Sequence, residues 1–273
     1  MKQILSIQSA VLHGYVGNET AALIYPALGF GLARIDTVRL AAHPGHGPMQ
    51  PAILSAAHLK MLLNDFCQLP TTSKLHALHS GYLASPEQGE RLAAALPHLS
   101  NSASRDFIYL LDPVLGDGGQ FYVAESIADV MRSALLPQAQ IITPNAFELS
   151  VLSGVDVSDL ASAERAARQL LAKGPHICLA TGLTDKHQAG GSDIIDMMVI
   201  KDEAAHHYYN KSQSRGISGA GDCLAALLLG FYLSGKSPAE AASRATSITH
   251  DIIASADDHH DMPLFAFRHL ISQ

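Results

Sequence analysis

The chain has 273 residues, of which 48% are hydrophobic and only 16% are charged, so it has enough apolar side chains for a large buried core. Lys and Arg number 18 against 25 Asp and Glu, a formal net charge of −7 at pH 7 that disfavours binding to nucleic acid or to an anionic membrane. Cys67, Cys178 and Cys223 are odd in number and widely spaced, which excludes a disulfide framework. No apolar stretch reaches the roughly 18–20 residues of a membrane span. We therefore expect a soluble cytoplasmic protein.

Short apolar runs that suit strands alternate with longer stretches of helical period. In chain order they predict a strand at residues 4–8, a helix at 20–28, a strand at 35–40, a helix at 52–69, a strand at 75–79, a helix from 85 to about 96, a strand at 107–111, a helix at 124–136, a strand at 140–143, helices at 145–152 and 162–173, a strand at 177–180, a hairpin of strands 194–201 and 205–210, and helices at 222–233 and from 237 to about 256. Capping boxes at Ser85 and Ser237, each followed by Pro, support two of the helix starts.

The order of these elements predicts the fold class. Continuous hydrophobic strands alternating with helices are typical of a mostly parallel sheet covered on both faces, an α/β fold of three layers. No linker, repeat or low-complexity segment divides the chain, so we expect a single domain over residues 1–273. Residues 182–192 are polar and glycine-rich and predict a mobile surface loop. Ligands of such sheets bind beyond the carboxyl ends of the strands, so the segments that follow strands deserve the closest inspection.

One such segment, Gly219-Ala220-Gly221-Asp222, opens the buried helix predicted at 222–233. The glycines allow a sharp turn that leaves several backbone N–H groups free at the helix N-terminus, where they and the helix dipole favour an anion. Asp222 has two interpretations. It is either a carboxylate that caps the helix, the favoured interpretation in isolation, or a catalytic base beside an anion hole for phosphoryl transfer.

Asn145 and Glu148 stand three residues apart after Pro144, at a predicted helix start. Their side chains then face the same way and supply oxygen ligands that suit Mg²⁺, which proteins hold largely through waters and substrate phosphates. The alternative is helix capping by Asn with a Glu in the first turn. The one GxxxxGK[ST] match, at 230–237, begins inside the helix predicted at 222–233 rather than after a strand, so it does not indicate a P-loop.

Five segments in this order carry a resemblance to a known family: QSAVLHGYVGN at 8–18, GYL at 81–83, DPVLGDGGQFYV at 112–123, ITPNAFEL at 142–149 and GAGD at 219–222. Together they resemble the pyridoxal kinases of the ribokinase superfamily over nearly the whole chain. The resemblance implies a ribokinase-like α/β/α sandwich without a large lid domain, and it implies ATP-dependent phosphorylation of the 5′-hydroxymethyl group of pyridoxal in vitamin B6 salvage.

The resemblance also implies roles for individual residues. Asp222 resembles the base that activates the hydroxymethyl oxygen, and Gly219, Ala220 and Gly221 resemble the anion hole for the γ-phosphoryl group. The implied substrate-binding residues are Ser9, Tyr82, His43 and Val16. The implied ATP-binding residues are Asp112, Asp117, Thr143, Asn145, Glu148 and Thr181. Of these, Asp112 and Glu148 would hold Mg²⁺, partly through water. A monovalent cation and a homodimer are further implications of the family.

Departures from the family pattern lie mainly in the substrate loop, residues 41–49, which reads AAHPGHGPM. Pro44 stands where the family commonly has a threonine that contacts pyridoxal, and Ala10 stands where it usually has His. Because this loop shapes the substrate pocket, two other functions stay open. One is a kinase of another hydroxymethyl heteroaromatic such as hydroxymethylpyrimidine, and the other is a catalytically silent B6-binding protein.

Overall fold

The computed structural model describes residues 1–184, 193–211, 217–256 and 262–264. In these ranges, nine strands form one sheet in the order β11-β10-β9-β8-β5-β4-β1-β2-β3, and β6 and β7 form a separate hairpin. The strands are β1 (Gln3–Val11), β2 (Gly31–Leu40), β3 (Ala52–Ile53), β4 (Leu75–Ser80), β5 (Ile108–Leu111), β6 (Gly116–Asp117), β7 (Gln120–Phe121), β8 (Ile141–Ile142), β9 (Ile177–Leu183), β10 (Asp193–Ile200) and β11 (His206–Lys211).

Six adjacent strands, from β9 through β8, β5, β4 and β1 to β2, pair in parallel, and antiparallel strands extend the sheet at both edges. The predicted hairpin is confirmed as β10 and β11, which pair antiparallel. The helices are α1 (Asn18–Ala27), α2 (Ala56–Cys67), α3 (Pro86–Ser102), α4 (Glu125–Val130), α5 (Ala146–Ser153), α6 (Leu160–Leu171), α7 (Ala220–Leu233) and α8 (Pro238–Ala254).

The helices cover both faces of the sheet and bury two separate apolar clusters. One cluster packs side chains of α2 to α6 on strand residues such as Leu5 and Leu78. The other packs α1, α7 and α8 on the opposite face, against Ile4 and Ala77. Alternate residues of a strand point to opposite faces, so each central strand contributes to both clusters. The three-layer α/β/α prediction is confirmed.

Strand β1 is an interior strand of the sheet, with its sequence neighbour β2 on one side and β4 on the other. Ile7 pairs with Ile35 of β2 and with Ser80 of β4. The direction of strand order reverses between β1 and β4, which is where open α/β sheets form their ligand crevice. The register of β1 on β2 shifts between Gln8 and Ala10, so the irregularity falls at Ser9, at the mouth of this crevice.

Several predicted boundaries are wrong. Strand β2 begins at Gly31 rather than at residue 35, and the helix predicted at 124–136 is α-helical only to Val130. Residues 52–53 form the edge strand β3 rather than the start of a helix, because the Ser55 hydroxyl accepts the His58 N–H and so starts α2 at Ala56. Helix α3 continues past Pro97 to Ser102. Residues 182–183, assigned to a loop, extend β9, and the rest of that loop, residues 185–192, lies outside the described residues. Within the described ranges, none of the helices has both the length and the apolar character needed to cross a bilayer.

Candidate active site

The N-terminus of α7 lies against the loop that follows β1. Gly219 caps this helix with a φ of 88°, and a Cβ atom there would lie 2.1 Å from the backbone oxygen of Tyr15. Only glycine fits this left-handed and crowded position. The same Cβ would lie 3.4 Å from Val16 Cγ1, so the structure brings Val16 beside the predicted anion hole. By contrast, a Cβ at Gly221 would meet no atom within 4 Å, which leaves open space beside the free N–H groups.

Asp222 lies in the first turn of α7, half-buried and facing the backbone N–H of Gly17. Burial raises the pKa of the Asp222 carboxyl, and the Gly17 N–H lowers it part of the way back. Gly17 also packs closely on Ser9, because a Cβ at Gly17 would lie 2.3 Å from the Ser9 backbone oxygen. Two of the predicted residues, Ser9 and Asp222, are therefore neighbours of the same glycine at the mouth of the crevice.

Asp112 follows β5 and is buried on the same side of the sheet as Asp222. Burial, and then the negative charge of Asp222, raise the pKa of Asp112 to about 8, whereas a hydrogen bond from Thr143 lowers it. The Thr143 hydroxyl donates to Asp112 Oδ1 at 2.9 Å, which brings two predicted ATP-binding residues together. The structure thus contains a buried carboxyl that is mostly protonated at neutral pH and that a bound cation would deprotonate.

Asn145 and Glu148 form a capping box at the start of α5, so the capping interpretation of this pair is confirmed. Glu148 also reaches beyond the helix, because its Oε1 accepts the Leu115 N–H at 3.0 Å. Burial, and then the charge of Asp112, raise the pKa of Glu148 well above its usual range, although backbone N–H groups oppose this shift. Asn145 Nδ2 donates to the Gly116 oxygen at 2.7 Å, so both ends of its amide are engaged.

The donor set at this edge fits Mg²⁺ in character but does not enclose it. Asp112 and Glu148 offer the carboxylate oxygens that Mg²⁺ prefers. Burial, and then the like charge of a neighbouring carboxylate, raise their pKa values, and a divalent cation would relieve that repulsion. Among the described residues, no group of three or more His, Cys, Asp or Glu side chains is arranged to hold a metal. Such a pair suits an ion whose other ligands are water and phosphate oxygens.

The remaining predicted ATP-binding residues lie around this cluster. Thr181 forms a parallel bridge with Asn145, and its N–H donates to the Pro144 oxygen at 2.9 Å. Asp117 is exposed in the β6–β7 hairpin, where its carboxylate accepts the Gly118 N–H at 2.7 Å. Its side chain therefore stabilises a turn, which is one of the structural roles open to an Asp among glycines.

Two predicted substrate-binding residues lie on different segments. Tyr82 directly follows β4 and Gly81; its ring is half-buried, and burial raises the pKa of its phenol. The Tyr82 carbonyl accepts the Thr37 hydroxyl at 2.7 Å, which fixes its backbone to β2. His43 lies in the substrate loop, and its Nδ1 is 3.0 Å from the hydroxyl of Ser218, the residue before Gly219. The structure thus joins the substrate loop to the residue before the predicted anion hole.

Comparisons with known proteins show to which family the chain belongs. A sequence model of the phosphomethylpyrimidine kinase family matches residues 56–262. The pyridoxal kinase PdxY of Rubrobacter xylanophilus is 34% identical over 251 residues, which are 92% of this chain and 86% of that protein. The pyridoxal kinase PdxY of Pasteurella multocida is 30% identical over 282 residues, 100% of this chain and 96% of that protein. The chain belongs to the pyridoxal kinase family.

A solved pyridoxal kinase supports this membership at the level of structure. The pyridoxal kinase from Leishmania donovani, in complex with ADP and pyridoxamine, superposes with a TM-score of 0.92 at 25% identity. The alignment covers 100% of this chain and 96% of the Leishmania chain. The order of strands and flanking helices described above is therefore that of a ribokinase-like pyridoxal kinase.

In this member of the pyridoxal kinase family, sequence analysis missed a buried polar network beneath the site. The Tyr25 hydroxyl lies 2.7 Å from His79 Nδ1, and the Gln8 amide donates to the Ser6 hydroxyl at 2.8 Å. Burial lowers the pKa of His79 to about 3, so its ring is neutral. Burial, and then the charge of Asp112, raise the pKa of Tyr25, which places this network within electrostatic reach of the acidic cluster. The sequence could have indicated this network, because Ser6 and Gln8 are polar residues in an otherwise mostly apolar strand.

Proposed function

We propose that this chain transfers the γ-phosphoryl group of ATP to the 5′-hydroxymethyl oxygen of pyridoxal, and also to that of pyridoxine and pyridoxamine, in vitamin B6 salvage. The observation that carries the proposal is the position of Asp222. Its carboxyl lies in the first turn of α7, faces the Gly17 N–H and stands within electrostatic reach of the buried Asp112. The curated pyridoxal kinases that are 30–34% identical over most of the chain support the substrate class.

In the proposed reaction, Asp222 accepts the proton of the hydroxymethyl group as its oxygen attacks the γ-phosphorus. The bond between the γ-phosphorus and the oxygen bridging to the β-phosphate breaks, and ADP leaves. Because the transition state is loose, the attacking alcohol loses its proton late, and a carboxylate is a sufficient base. Burial raises the pKa of Asp222, which makes it a stronger base than an exposed Asp.

On the nucleotide side, the N–H groups of Gly219, Ala220 and Gly221 would stabilise the charge on the transferred phosphoryl group. The open space beside Gly221 supports this role. Asp112 and Glu148 would hold Mg²⁺, partly through water, and a bound Mg²⁺ would neutralise phosphate charge. We assign Asp117, Thr143, Asn145 and Thr181 to the surroundings of the nucleotide, as the resemblance implies. A monovalent cation remains part of the proposal without a site assigned to it.

On the alcohol side, we assign Ser9, Val16, His43 and Tyr82 to the substrate pocket. Ser9 and Val16 support this assignment because both lie beside glycines that pack against the Asp222 region. The half-buried ring of Tyr82, at the end of β4, offers a flat apolar face to a heteroaromatic ring. Ser9 and Val16 thus lie on the β1 side of the β1–β4 crevice, and Tyr82 lies on the β4 side.

A second candidate function is phosphorylation of a hydroxymethylpyrimidine. The match to the phosphomethylpyrimidine kinase family model over residues 56–262 favours it, as does Pro44 in the substrate loop. We place pyridoxal first because the curated relatives that cover nearly the whole chain are pyridoxal kinases.

A coupled assay of ADP release decides between these functions. The purified chain, with MgATP, is given pyridoxal, pyridoxine, pyridoxamine or hydroxymethylpyrimidine in separate reactions, and thermal unfolding is followed with each alcohol. We expect turnover of the three B6 vitamers. Turnover of the pyrimidine alone would replace the proposal by the second candidate. A ligand at 100 times its Kd stabilises by about 2.7 kcal/mol, so stabilisation by pyridoxal without any turnover would identify a silent B6-binding protein.

We further propose that the chain acts as one kinase domain, in the cytoplasm and as a homodimer. Free Cys67, Cys178 and Cys223 support a reducing compartment. Exposed apolar side chains near the β3 edge of the sheet, Ile53 on β3 and Met61 on α2, support an interface between two copies. Light scattering after gel filtration measures the mass, and a mass of one chain at micromolar concentration would refute the dimer.

A further inference from the structure

We propose that Ser218 is a positioning residue that ties the substrate loop, residues 41–49, to the anion hole at the start of α7. The kinetic consequence of this inference rests on the proposed function. The contact between Ser218 and His43, from which we argue, is independent of that function. Ser218 belongs to none of the motifs that marked the site in the sequence. It directly precedes Gly219, and its hydroxyl lies 3.0 Å from His43 Nδ1, 175 residues earlier in the chain.

The direction of this hydrogen bond follows from a second contact. The backbone N–H of Gly45 points to the same His43 Nδ1 at 3.1 Å. A backbone N–H can only donate, so Nδ1 carries its lone pair and the ring proton sits on Nε2. The Ser218 hydroxyl is therefore the donor. One ring nitrogen both closes the turn inside the substrate loop and bonds this loop to the residue before the anion hole.

Ser218 is held independently of the substrate loop. Its carbonyl oxygen accepts the Met262 N–H at 3.2 Å, and Met262 is buried with 1% of its surface exposed. The next residue, Gly219, is packed against the Tyr15 backbone. By contrast, Pro44 and its neighbours at the tip of the substrate loop are exposed. The hydrogen bond therefore joins a fixed point to a loop whose tip is exposed and in which the His46 ring lies 6.0 Å from that of His13.

The contrast between the fixed position of Ser218 and the exposed tip of the substrate loop gives Ser218 its function. Asp222 lies one helical turn beyond Ser218, so a loop fastened at Ser218 keeps a fixed position relative to the proposed base. An alcohol bound under the loop would then meet Asp222 in one orientation. None of the residues that we assign to the nucleotide belongs to the substrate loop. Loss of the bond should therefore weaken binding of the alcohol and leave binding of the nucleotide nearly unchanged.

The kinetic test compares Ser218→Ala with Ser218→Thr, which keeps the hydroxyl. We expect Ser218→Ala to raise the KM for pyridoxal about three- to tenfold, the range that one hydrogen bond supplies, with the KM for ATP changed less than about twofold. Ser218→Thr should restore the KM for pyridoxal. In the background of His43→Leu, which already lacks the acceptor, Ser218→Ala should add almost nothing. Equal effects on both KM values, no rescue by Thr, or additive effects would overturn the proposal.

A second measurement tests the hydrogen bond between Ser218 and His43 without any catalysis. Amide hydrogen exchange of residues 41–49 is followed in the ligand-free wild type, in Ser218→Ala and in Ser218→Thr. We expect the substrate loop to exchange at least about threefold faster in the alanine variant only. Unchanged exchange would refute the bond. If the wild type phosphorylates no alcohol, the proposed function has failed, whereas faster exchange in Ser218→Ala would still establish Ser218 as the anchor of this loop.

Discussion

Asp112 is buried within electrostatic reach of Asp222, and burial, followed by the charge of Asp222, raises the pKa of Asp112 to about 8. After burial, the charge of Asp222 therefore opposes the ionisation of Asp112 near neutral pH. Glu148 shows the same effect, because burial and then the charge of Asp112 raise the pKa of its carboxyl. In the candidate site of this pyridoxal kinase family member, Asp112 and Glu148 thus resist ionisation until a cation binds near them.

The first prediction concerns stability against pH. An ordinary Asp ionises near pH 3.8, whereas folded Asp112 keeps its proton to about pH 8, so the folded state binds more protons in this window and stability falls as pH rises. His79 acts in the opposite direction, but only between about pH 3 and 6.5. We therefore expect the free energy of unfolding of the ligand-free protein to fall by about 1–2 kcal/mol from pH 6.5 to 8.

The check is urea denaturation at several pH values in the wild type and in Asp112→Asn. The Asn side chain keeps an acceptor for the Thr143 hydroxyl but cannot ionise, so its stability should change much less between pH 6.5 and 8. Asp106→Asn, at an exposed loop position, is the matched control and should behave as the wild type does. A wild type whose stability is flat over this range would contradict the raised pKa.

The second prediction concerns proton release on nucleotide binding. If MgADP brings positive charge to the acidic cluster, Asp112 should lose its proton when the nucleotide binds at pH 7. Titration calorimetry in phosphate and in Tris, whose ionisation enthalpies differ, counts the protons released. We expect about one proton from the wild type and clearly fewer from Asp112→Asn. Equal release by the two proteins would place the cation away from Asp112.

The third prediction concerns Asp222. We expect Asp222→Asn to lower kcat by about 10²- to 10⁴-fold, the range that a general base contributes, because the amide cannot accept the proton. The Kd for MgADP should change little, since the nucleotide contacts assigned here lie on the other residues. Single-turnover rates and calorimetry measure the two effects. Asp251→Asn, on the exposed surface of α8, is the control. A near-normal kcat in Asp222→Asn would remove the base assignment.

The fourth prediction compares two glycines at the start of α7. A methyl group at Gly219 would collide with the Tyr15 oxygen in a left-handed backbone, so Gly219→Ala should destabilise the fold by more than about 1 kcal/mol. Gly221 lies inside the helix with open space at its Cβ position, so Gly221→Ala should stabilise it by up to about 1 kcal/mol. Thermal unfolding of both variants measures the difference. Equal shifts in Tm would contradict the left-handed, crowded backbone described for Gly219.

Much of the fold was predictable because strand and helix periods are local properties of the sequence. The central strands and the start of α3 at Ser85 follow from apolar runs and a capping box. The β6–β7 hairpin was missed, although Gly118 and Gly119 both have positive φ and adjacent glycines are typical of such turns. The edge strand β3 is only two residues long, and its pairing with β2 has no local signature.

The site was predictable as a set of residues but not as a set of contacts. The order of the motifs along the chain identified Asp112, Asp222 and Glu148 as candidates. The effect of Asp222 on the pKa of Asp112, and of Asp112 on the pKa of Glu148, depends on distances between three separate segments. The approach of Gly17 to Asp222 and the bond from Ser218 to His43 join residues from distant parts of the chain. No periodicity or spacing within one segment carries such information.

The packing of Gly219 against Tyr15 also bears on how the protein is made. These residues lie near opposite ends of the chain, so β1 and β2 leave the ribosome long before α7 is synthesised. A nascent chain that already contains every strand still lacks α7 and α8, which cover one face of the sheet, and with them the helix terminus assigned to phosphate. A translation product that stops before Asp222 would therefore neither hold nucleotide tightly nor consume ATP, however well its first strands had folded.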